Sequence, residues 1–511
     1  MIDNQTNIFE MLYETYKITK PIRLITLFSG YDSQALALKY LGVKFEHYKT
    51  CEWAIKSIQA LKDLHFDEDN TDYSKELSTD EIREYLFNKG ISSNYNDPMS
   101  KEQVSRLNEK QVRTIYNNIK ATHNLVNIQQ VKGNDLCIKD SDKFTYLLTY
   151  SFPCQDLSLA GKGKGMSDTT TRSGMLWEVE RILTECKEKP QILLMENVPQ
   201  VHGEGNKEDF NKWQFRLEEL GYKNYWQDLI ATDYGIPQTR NRCFMISVLG
   251  DYNYTFPKPI PLKLKLKDML EDKVDEKYYL SDKMIKYIVA DNEAWTGNNS
   301  EALINKTLAS TLNTSEGSRR CDASNYISND FGDNYNLKII NATKKGYLEA
   351  EIGDGIDISS RMGKHRGNVQ KDKIQTITTS GGNDRGVVVD TLKKDLCNKL
   401  IQEGLVEEGD IVKHSYTQKI LDGEKKCAEK NNGNMITLTT RGDCVGTTVK
   451  DKIGNLRIRK LTPRECFRLM GVKDEDFEKI AKNQSDSSLY HLAGDSIVVN
   501  VLIAIFKELM S

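Results

Sequence analysis

The sequence predicts an α/β fold: a doubly wound, Rossmann-like sheet joined to a second, mostly β domain. Three observations lead there. The β-branched, apolar run Ile22 to Phe28 is halted by Ser29-Gly30 and followed by helically spaced apolar residues through Tyr40, which is the strand–turn–helix unit of such sheets. Further short apolar runs, each ending in polar residues, lie near 45–51, 144–150 and 192–195. Between about 256 and 455 the texture changes to short β-branched patches, Gly/Asn turns and polar stretches, as expected of a mostly β unit.

A chain of 511 residues has room for two or three domains. With 38% apolar and 28% charged residues it reads as globular. The formal net charge is only -3, so any surface for nucleic acid must come from local clustering. None of the ten cysteines shows Cys-x-x-Cys spacing, which argues against a zinc cluster and a secreted disulfide framework. No metal site is expected. The first twenty residues are polar, and the apolar run Ile497 to Phe506 is too short to cross a bilayer. The expectation is a cytoplasmic protein without a membrane partner.

In chain order, Phe45 to Cys51 reads as a second strand ending at Glu52, about 20 residues past the glycine turn. Such sheets set a carboxylate there for ribose hydroxyls. The Gly-x-Gly-x-x-Gly fingerprint is absent, since only Gly30 is present. Trp53 offers an aromatic face for an adenine. Residues 61–125, rich in charge, Asn and Tyr, read as a helical insertion with helices near Asp80–Phe87 and Lys101–Lys120. Val126 to Val131 reads as a strand leading to Asp135.

The run Phe144 to Tyr150 then opens into Ser151-Phe152-Pro153-Cys154-Gln155 and a loop containing Gly161, Gly163 and Gly165. A cysteine set by a proline at a strand end is a candidate nucleophile, because even a small thiolate fraction is reactive at neutral pH. A helix follows from Ser173 to Cys186, then a buried strand ending at Glu196. Next come a helix to Leu220, a strand from Tyr225 to Ala231, and the segment Gln238-Thr239-Arg240-Asn241-Arg242 leading into Cys243 to Leu249.

Prolines cluster at Phe256 to Pro261, where the domain boundary is placed. Within 256–455 the stretch Ile374 to Gly381 resembles Met435 to Gly442, each followed by a β-branched patch, so each reads as strand, glycine loop and strand. After Ile458 the α/β texture returns. Thr462 is the expected N-cap of a helix, with Pro463 at its first position and Glu465 completing a capping box. Gly494-Asp495-Ser496 precedes the last helix. The expected organisation is 1–255, 256–455, and 456–511 returning to the first unit.

A thiol, a carboxylic acid and paired arginines at neighbouring strand ends suit attack on an electron-poor heterocycle. The acid would engage a ring nitrogen, and the guanidiniums would hold a ring oxygen and a phosphate.

The ordered set resembles the DNA (cytosine-5) methyltransferase family. It comprises Phe28-Ser29-Gly30, Pro153-Cys154-Gln155, Glu196-Asn197-Val198, Gln238 through Arg242, Arg459 through Glu465 with Arg468 to Gly471, and Gly494-Asp495-Ser496-Ile497. Each motif alone is weak, but six in the family's order are strong. Two departures stand out: Tyr31-Asp32-Ser33 where the family has further glycines, and Asp495 where it has asparagine. Asp tolerates left-handed backbone, so the turn is expected to persist.

The resemblance implies a methyltransferase sheet whose 256–455 segment is a target-recognition domain. It implies that Cys154 attacks carbon 6 of a flipped-out cytosine, Glu196 engages ring nitrogen 3, Arg242 contacts the cytosine oxygen and Arg240 supports the pocket. S-adenosylmethionine would be held by Phe28, Ser29, Gly30, Gln34, Glu52, Trp53, Asp135, Pro153, Asp495 and Ile497. Double-stranded DNA would meet Gln155, Ser158, Lys162, Lys164, Arg172 and Gln238. The setting implied is a monomer in a restriction-modification system with a cognate endonuclease, or an orphan enzyme. Two rivals are cytosine-5 methylation of RNA and a catalytically silent DNA-binding relative. The latter predicts loss of Cys154 or Glu196, and both are present.

Overall fold

Six strands form one mixed sheet: β1 (Ile22–Leu27), β2 (Phe45–Cys51), β3 (Thr145–Tyr150), β4 (Ile192–Asn197), β5 (Tyr222–Ile230) and β7 (Asn241–Leu249). Their order is β2-β1-β3-β4-β7-β5. The computed structural model describes residues 14–153, 173–279 and 458–510, with the backbone of eight short strands between 337 and 448. β1 pairs in parallel with β2 and β3, and β3 with β4. β7 runs antiparallel between β4 and β5. The chain places β2 on one side of β1 and β3 on the other, so the strand order reverses at the β1/β3 crevice, where open α/β sheets bind ligands.

Period-two alternation builds a core on each face of the sheet. In β4, Ile192 and Leu194 face one cluster while Leu193 and Met195 face the other. The first cluster holds α1 (Ser33–Tyr40) and the C-terminal helices; the second holds α6 (Leu176–Glu185) and α7 (Lys207–Glu219). Helices on both faces make the sheet doubly wound, as its apolar strands require.

The insertion contributes α3 (Thr79–Lys89), α4 (Lys101–Ser105) and α5 (Glu109–Ala121), packed on α2 (Ile55–His65). Each of the three starts with a capping box, from Ser78 with Glu81, Ser100 with Gln103, and Asn108 with Gln111. Ile82, Leu86, Val104, Val112 and Ile119 form a core of their own. The strand expected at Val126 to Val131 is not formed. Val126 has φ 71, Asn127 caps a 3-10 turn at Ile128–Gln130, and a second turn follows at Gly133–Leu136. Gly133 lies so near helix α6 that an added Cβ would sit 2.6 Å from the Cys186 nitrogen.

Beyond 279, β10 (Gly355–Asp357), β11 (Asn368–Gln370), β13 (Gly386–Val389) and β16 (Ile458–Lys460) form a four-stranded sheet in the order β11-β10-β13-β16. β8 (Leu337–Ile340) pairs with β9 (Tyr347–Ala350), and β14 (Ile411–Lys413) with β15 (Gly446–Thr448). Within the first copy of the sequence repeat, β12 (Ile374–Gln375) pairs with β6 (Gln238–Thr239), while β13 joins the four-stranded sheet. In the second copy, β15 pairs elsewhere, and Met435 to Gly442 lies outside the described residues. The two copies therefore share local strand propensity rather than one pairing pattern.

The chain then returns to the first unit through α8 (Pro463–Arg468), α9 (Asp474–Ala481), α10 (Asp486–Asp495) and α11 (Val499–Met510). Thr462 caps α8 with Pro463 in its first turn and Glu465 closing the box. Glu465 also takes two 2.8 Å bonds from the fully buried Arg459, a pairing that its burial demands. The apolar stretch Asp486–Met510 is broken at Ser496 and is mostly buried in the core.

Candidate active site

The turn after β1 is built from unusual backbone. Phe28 has φ 59, Gly30 φ 55 and Asp32 φ 62, and an aromatic residue at positive φ is uncommon. Asp32 holds the turn: its Oδ1 accepts from the Ala35 N–H as N-cap of α1, and its Oδ2 accepts from Thr26 Oγ1. Left-handed aspartate thus stands where further glycines were expected. Burial raises the Asp32 carboxyl to about 7. His65 Nε2 meets the Tyr31 and Asp32 carbonyls at 3.0 and 3.1 Å. Carbonyls only accept, so this nitrogen carries the proton, and burial pushes the His65 pKa down to about 3.

Glu52 closes the turn from the end of β2. Its Oε2 accepts the Gly30 N–H at 2.9 Å and its Oε1 the Ala54 N–H at 2.8 Å. Asn124 fixes the Glu52 backbone on both sides, donating to its carbonyl and accepting its N–H. Burial raises Glu52 to about 7, with Asp495 among the lesser causes. The Ser29 hydroxyl is buried and has no partner among the described residues. Gly30 has open space where a side chain would be. Gln34 is buried in the first turn of α1, and Trp53 is half-buried beside the insertion core. Asp135 is exposed on its 3-10 turn, with Oδ2 accepting from the Lys132 N–H.

At the next strand ends, Ser151 Oγ donates a 2.5 Å bond to Glu196 Oε2, and Arg242 Nε lies 3.1 Å from Oε1. Glu196 is 4% exposed, so its oxygens need these partners. Asn197 Nδ2 donates to the Phe152 carbonyl at 2.9 Å. The polypeptide entering Pro153 is therefore tied to the Glu196 strand twice. Cys154, Gln155, Ser158, Lys162, Lys164 and Arg172 lie outside the described residues.

The C-terminal segment seals the other side. The Ile497 N–H donates to Ser33 Oγ at 3.3 Å, and His491 Nε2 pairs with Asp495 Oδ2 at 2.8 Å. Arg240 is buried and donates to the Gly494 and Ser496 carbonyls, so its role here is to hold that segment. Gln238, expected to face DNA, is corrected: it is fully buried and donates to the Leu469 carbonyl at 2.7 Å. Strand pairing of β6 with β12 turns its side chain inward.

The structure thus brings together Ser29, Gly30, Glu52, Asp495 and Ile497 at one end of the crevice, and Glu196 with Arg242 at the other. Sequence reasoning missed Ser151 and Asn197 as holders of the second group, although both stand inside recognised motifs. It also missed Asn124, Tyr95 and His491, which no local pattern marks.

A family model of C-5 cytosine-specific DNA methylases matches residues 89–511. The type II methyltransferase M2.ScrFI of Lactococcus lactis subsp. cremoris is 29% identical over 493 residues, covering 96% of this chain and 99% of that protein. The orphan methyltransferase M.SssI of Spiroplasma monobiae is 38% identical over 277 residues, covering 53% of this chain and 69% of that one. Among solved structures, an S. pombe Dnmt2 methyltransferase aligns with 14% identity and TM-score 0.45, covering 95% and 98% of the two chains.

Proposed function

The chain belongs to the C-5 cytosine-specific DNA methylase family, and from that premise we propose that it methylates carbon 5 of a flipped-out cytosine in a specific duplex DNA sequence. The observation that carries this reading is the double tie between the segment ahead of Cys154 and the Glu196 strand. Covalent reach keeps Cys154 within about 7 Å of Phe152, so thiol and carboxyl serve one pocket.

The Cys154 thiolate adds to carbon 6 of the cytosine while Glu196, as the carboxylic acid, donates its proton to ring nitrogen 3, and the displaced electron pair makes carbon 5 nucleophilic. Glu196 recovers that proton from nitrogen 3 when the adduct collapses. The remaining Arg242 donors face the cytosine oxygen. After methylation, loss of the carbon-5 proton expels the thiolate and restores the ring. Flipping costs a few kcal/mol. Gln155, Ser158, Lys162, Lys164 and Arg172 supply backbone contacts that offset it.

S-adenosylmethionine, when bound, supplies an electrophilic methyl. The residues present suit it: the orphan Ser29 hydroxyl, the open space at Gly30, and Glu52 with acceptor capacity for ribose hydroxyls. Phe28 and Pro153 would flank its methionine part, Trp53 would offer a face to the adenine and Asp135 would offer an acceptor to its amino group. Sequence selection belongs to residues 256–455.

The test is expression in a host free of cytosine methylation, followed by mapping of 5-methylcytosine. Methylation at one recurring site is expected, lost in Cys154→Ala with DNA and cofactor binding retained. Full methylation by that variant would overturn the assignment. Exchange of 256–455 with a relative's segment is expected to move the site; an unmoved site would place selection elsewhere.

A further inference from the structure

One loop of the insertion, residues 91–98, lies against the residues just past Glu52. Ser92 ties that loop to the residues just past Glu52: its N–H donates to the Trp53 carbonyl at 2.8 Å, and its carbonyl accepts the Ile55 N–H at 2.9 Å. Asn94 then folds the loop back. Its Oδ1 accepts the N–H groups of Asn96 at 2.9 Å and Asp97 at 3.0 Å, and Ser92 Oγ donates to the Asp97 carbonyl at 2.8 Å. This winding forces Tyr95 to φ 64, a conformation that bulky residues adopt only when their surroundings impose it.

Tyr95 thereby lays its ring on His491, with centroids 3.6 Å apart and planes tilted by 39°. Its hydroxyl is shut off from solvent and has no well-formed hydrogen bond among the described residues. Burial raises the pKa of that hydroxyl, and the carboxylates of Asp495 and Glu52 push the same way, against the nearby hydroxyls of Ser488 and Ser57. The ring edge therefore sits in the field of both acids.

Following the contacts closes a circuit. Gly30 binds Glu52, and Glu52 binds Ala54. Ala54 is bridged to Ser92, whose loop carries Tyr95. Tyr95 stacks on His491, His491 pairs with Asp495, and Ile497 returns to Ser33 beside the turn. We infer that Tyr95 is a cofactor-positioning residue: it is the wall, supplied by the insertion, that closes the S-adenosylmethionine pocket between Glu52 and Asp495. This rests on the methyl-donor reading above. A residue serving only to attach the insertion has no need of strained backbone or an unpaired buried hydroxyl. Ser92 and the insertion's own core already provide the attachment.

The test is calorimetric binding of S-adenosylmethionine and its demethylated product to the full chain, with KM for cofactor and for DNA and the melting temperature. In Tyr95→Ala both ligands are expected to bind about tenfold more weakly. The cofactor KM should rise in parallel, and the DNA KM should stay unchanged. In Tyr95→Phe, which keeps the stack, affinity should fall by less than about threefold. If Tyr95→Ala does not fold, His491→Ala decides, because it removes the same stack from the other side and should weaken binding equally. Wild-type affinity in the folded variants, with only a lower melting temperature, would reduce Tyr95 to attachment and overturn the inference alone. Failure of the wild-type chain to bind either ligand would instead overturn the methyl-donor reading beneath it.

Discussion

Two glutamates, Glu196 buried and Glu52 half-buried, stand at strand ends of one sheet and are kept in opposite ways. Glu196, after β4, is met by the Arg242 guanidinium and the Ser151 hydroxyl. Glu52, after β2, is met by two backbone N–H groups, and burial lifts its pKa to about 7. The guanidinium and the hydroxyl hold the first carboxyl in one orientation. The second is left able to hold a proton and to serve as a neutral or charged acceptor. Side-chain pairing suits chemistry on a ring, whereas backbone pairing suits recognition of hydroxyls, so one residue type takes two functions from its neighbours.

Glu196→Gln breaks the comparison most severely. It keeps shape but has no acidic proton to give ring nitrogen 3, so kcat is expected to fall about 10²–10⁴-fold, with cofactor affinity unchanged; a steady-state separation of kcat from the cofactor KM checks this. Next is Arg242→Met, which leaves the buried Glu196 without its guanidinium partner. A loss of roughly 3 kcal/mol in denaturant unfolding is expected, largely restored in the double variant with Glu196→Gln.

The cofactor side sharpens the contrast through pH. A carboxyl raised in the folded state contributes stability that is fully present below its unfolded pKa and lost as pH rises through its folded one. For Asp32 and Glu52, both lifted to about 7 from 3.8 and 4.5, that window is about pH 4 to 7. Asp32→Asn retains the cap and the Thr26 contact. Its unfolding free energy should therefore fall less over this window, by roughly 2–4 kcal/mol relative to wild type, in parallel denaturant titrations. Glu52→Gln should weaken S-adenosylmethionine binding about tenfold with kcat at saturation nearly kept. The smallest effect is expected from Asp495→Asn, since that side chain is exposed; affinity should change by less than about threefold, read by calorimetry.

Local chemistry made much of this legible in the chain. β1 and β4 are mostly apolar, and the Thr462–Glu465 box needs only residues three apart. Asp32 was readable as a left-handed residue because its side chain is short and polar. Contacts made across the fold were not readable. Tyr95 and His491 lie 396 residues apart and meet only after the C-terminal segment returns to the first unit. Asn124 has no periodic or motif context, yet it sets the Glu52 backbone. Val126 to Val131 misled because apolar content suggested a strand, whereas Asn127 and Gly133 impose turns against α6. Gln238 misled because a motif position says nothing about which way a strand presents its side chain.

The most direct test is to trap the reaction. Duplex DNA carrying the mapped site with 5-fluorocytosine at the target has no carbon-5 proton to lose, so the adduct cannot eliminate. With S-adenosylmethionine present, a DNA complex stable to denaturation should form, and peptide mass spectrometry should place the nucleotide on Cys154. Glu196→Gln should slow its formation, and Cys154→Ala should abolish it. A complex through another residue, or turnover without any adduct, would contradict nucleophilic catalysis by Cys154 beside Glu196.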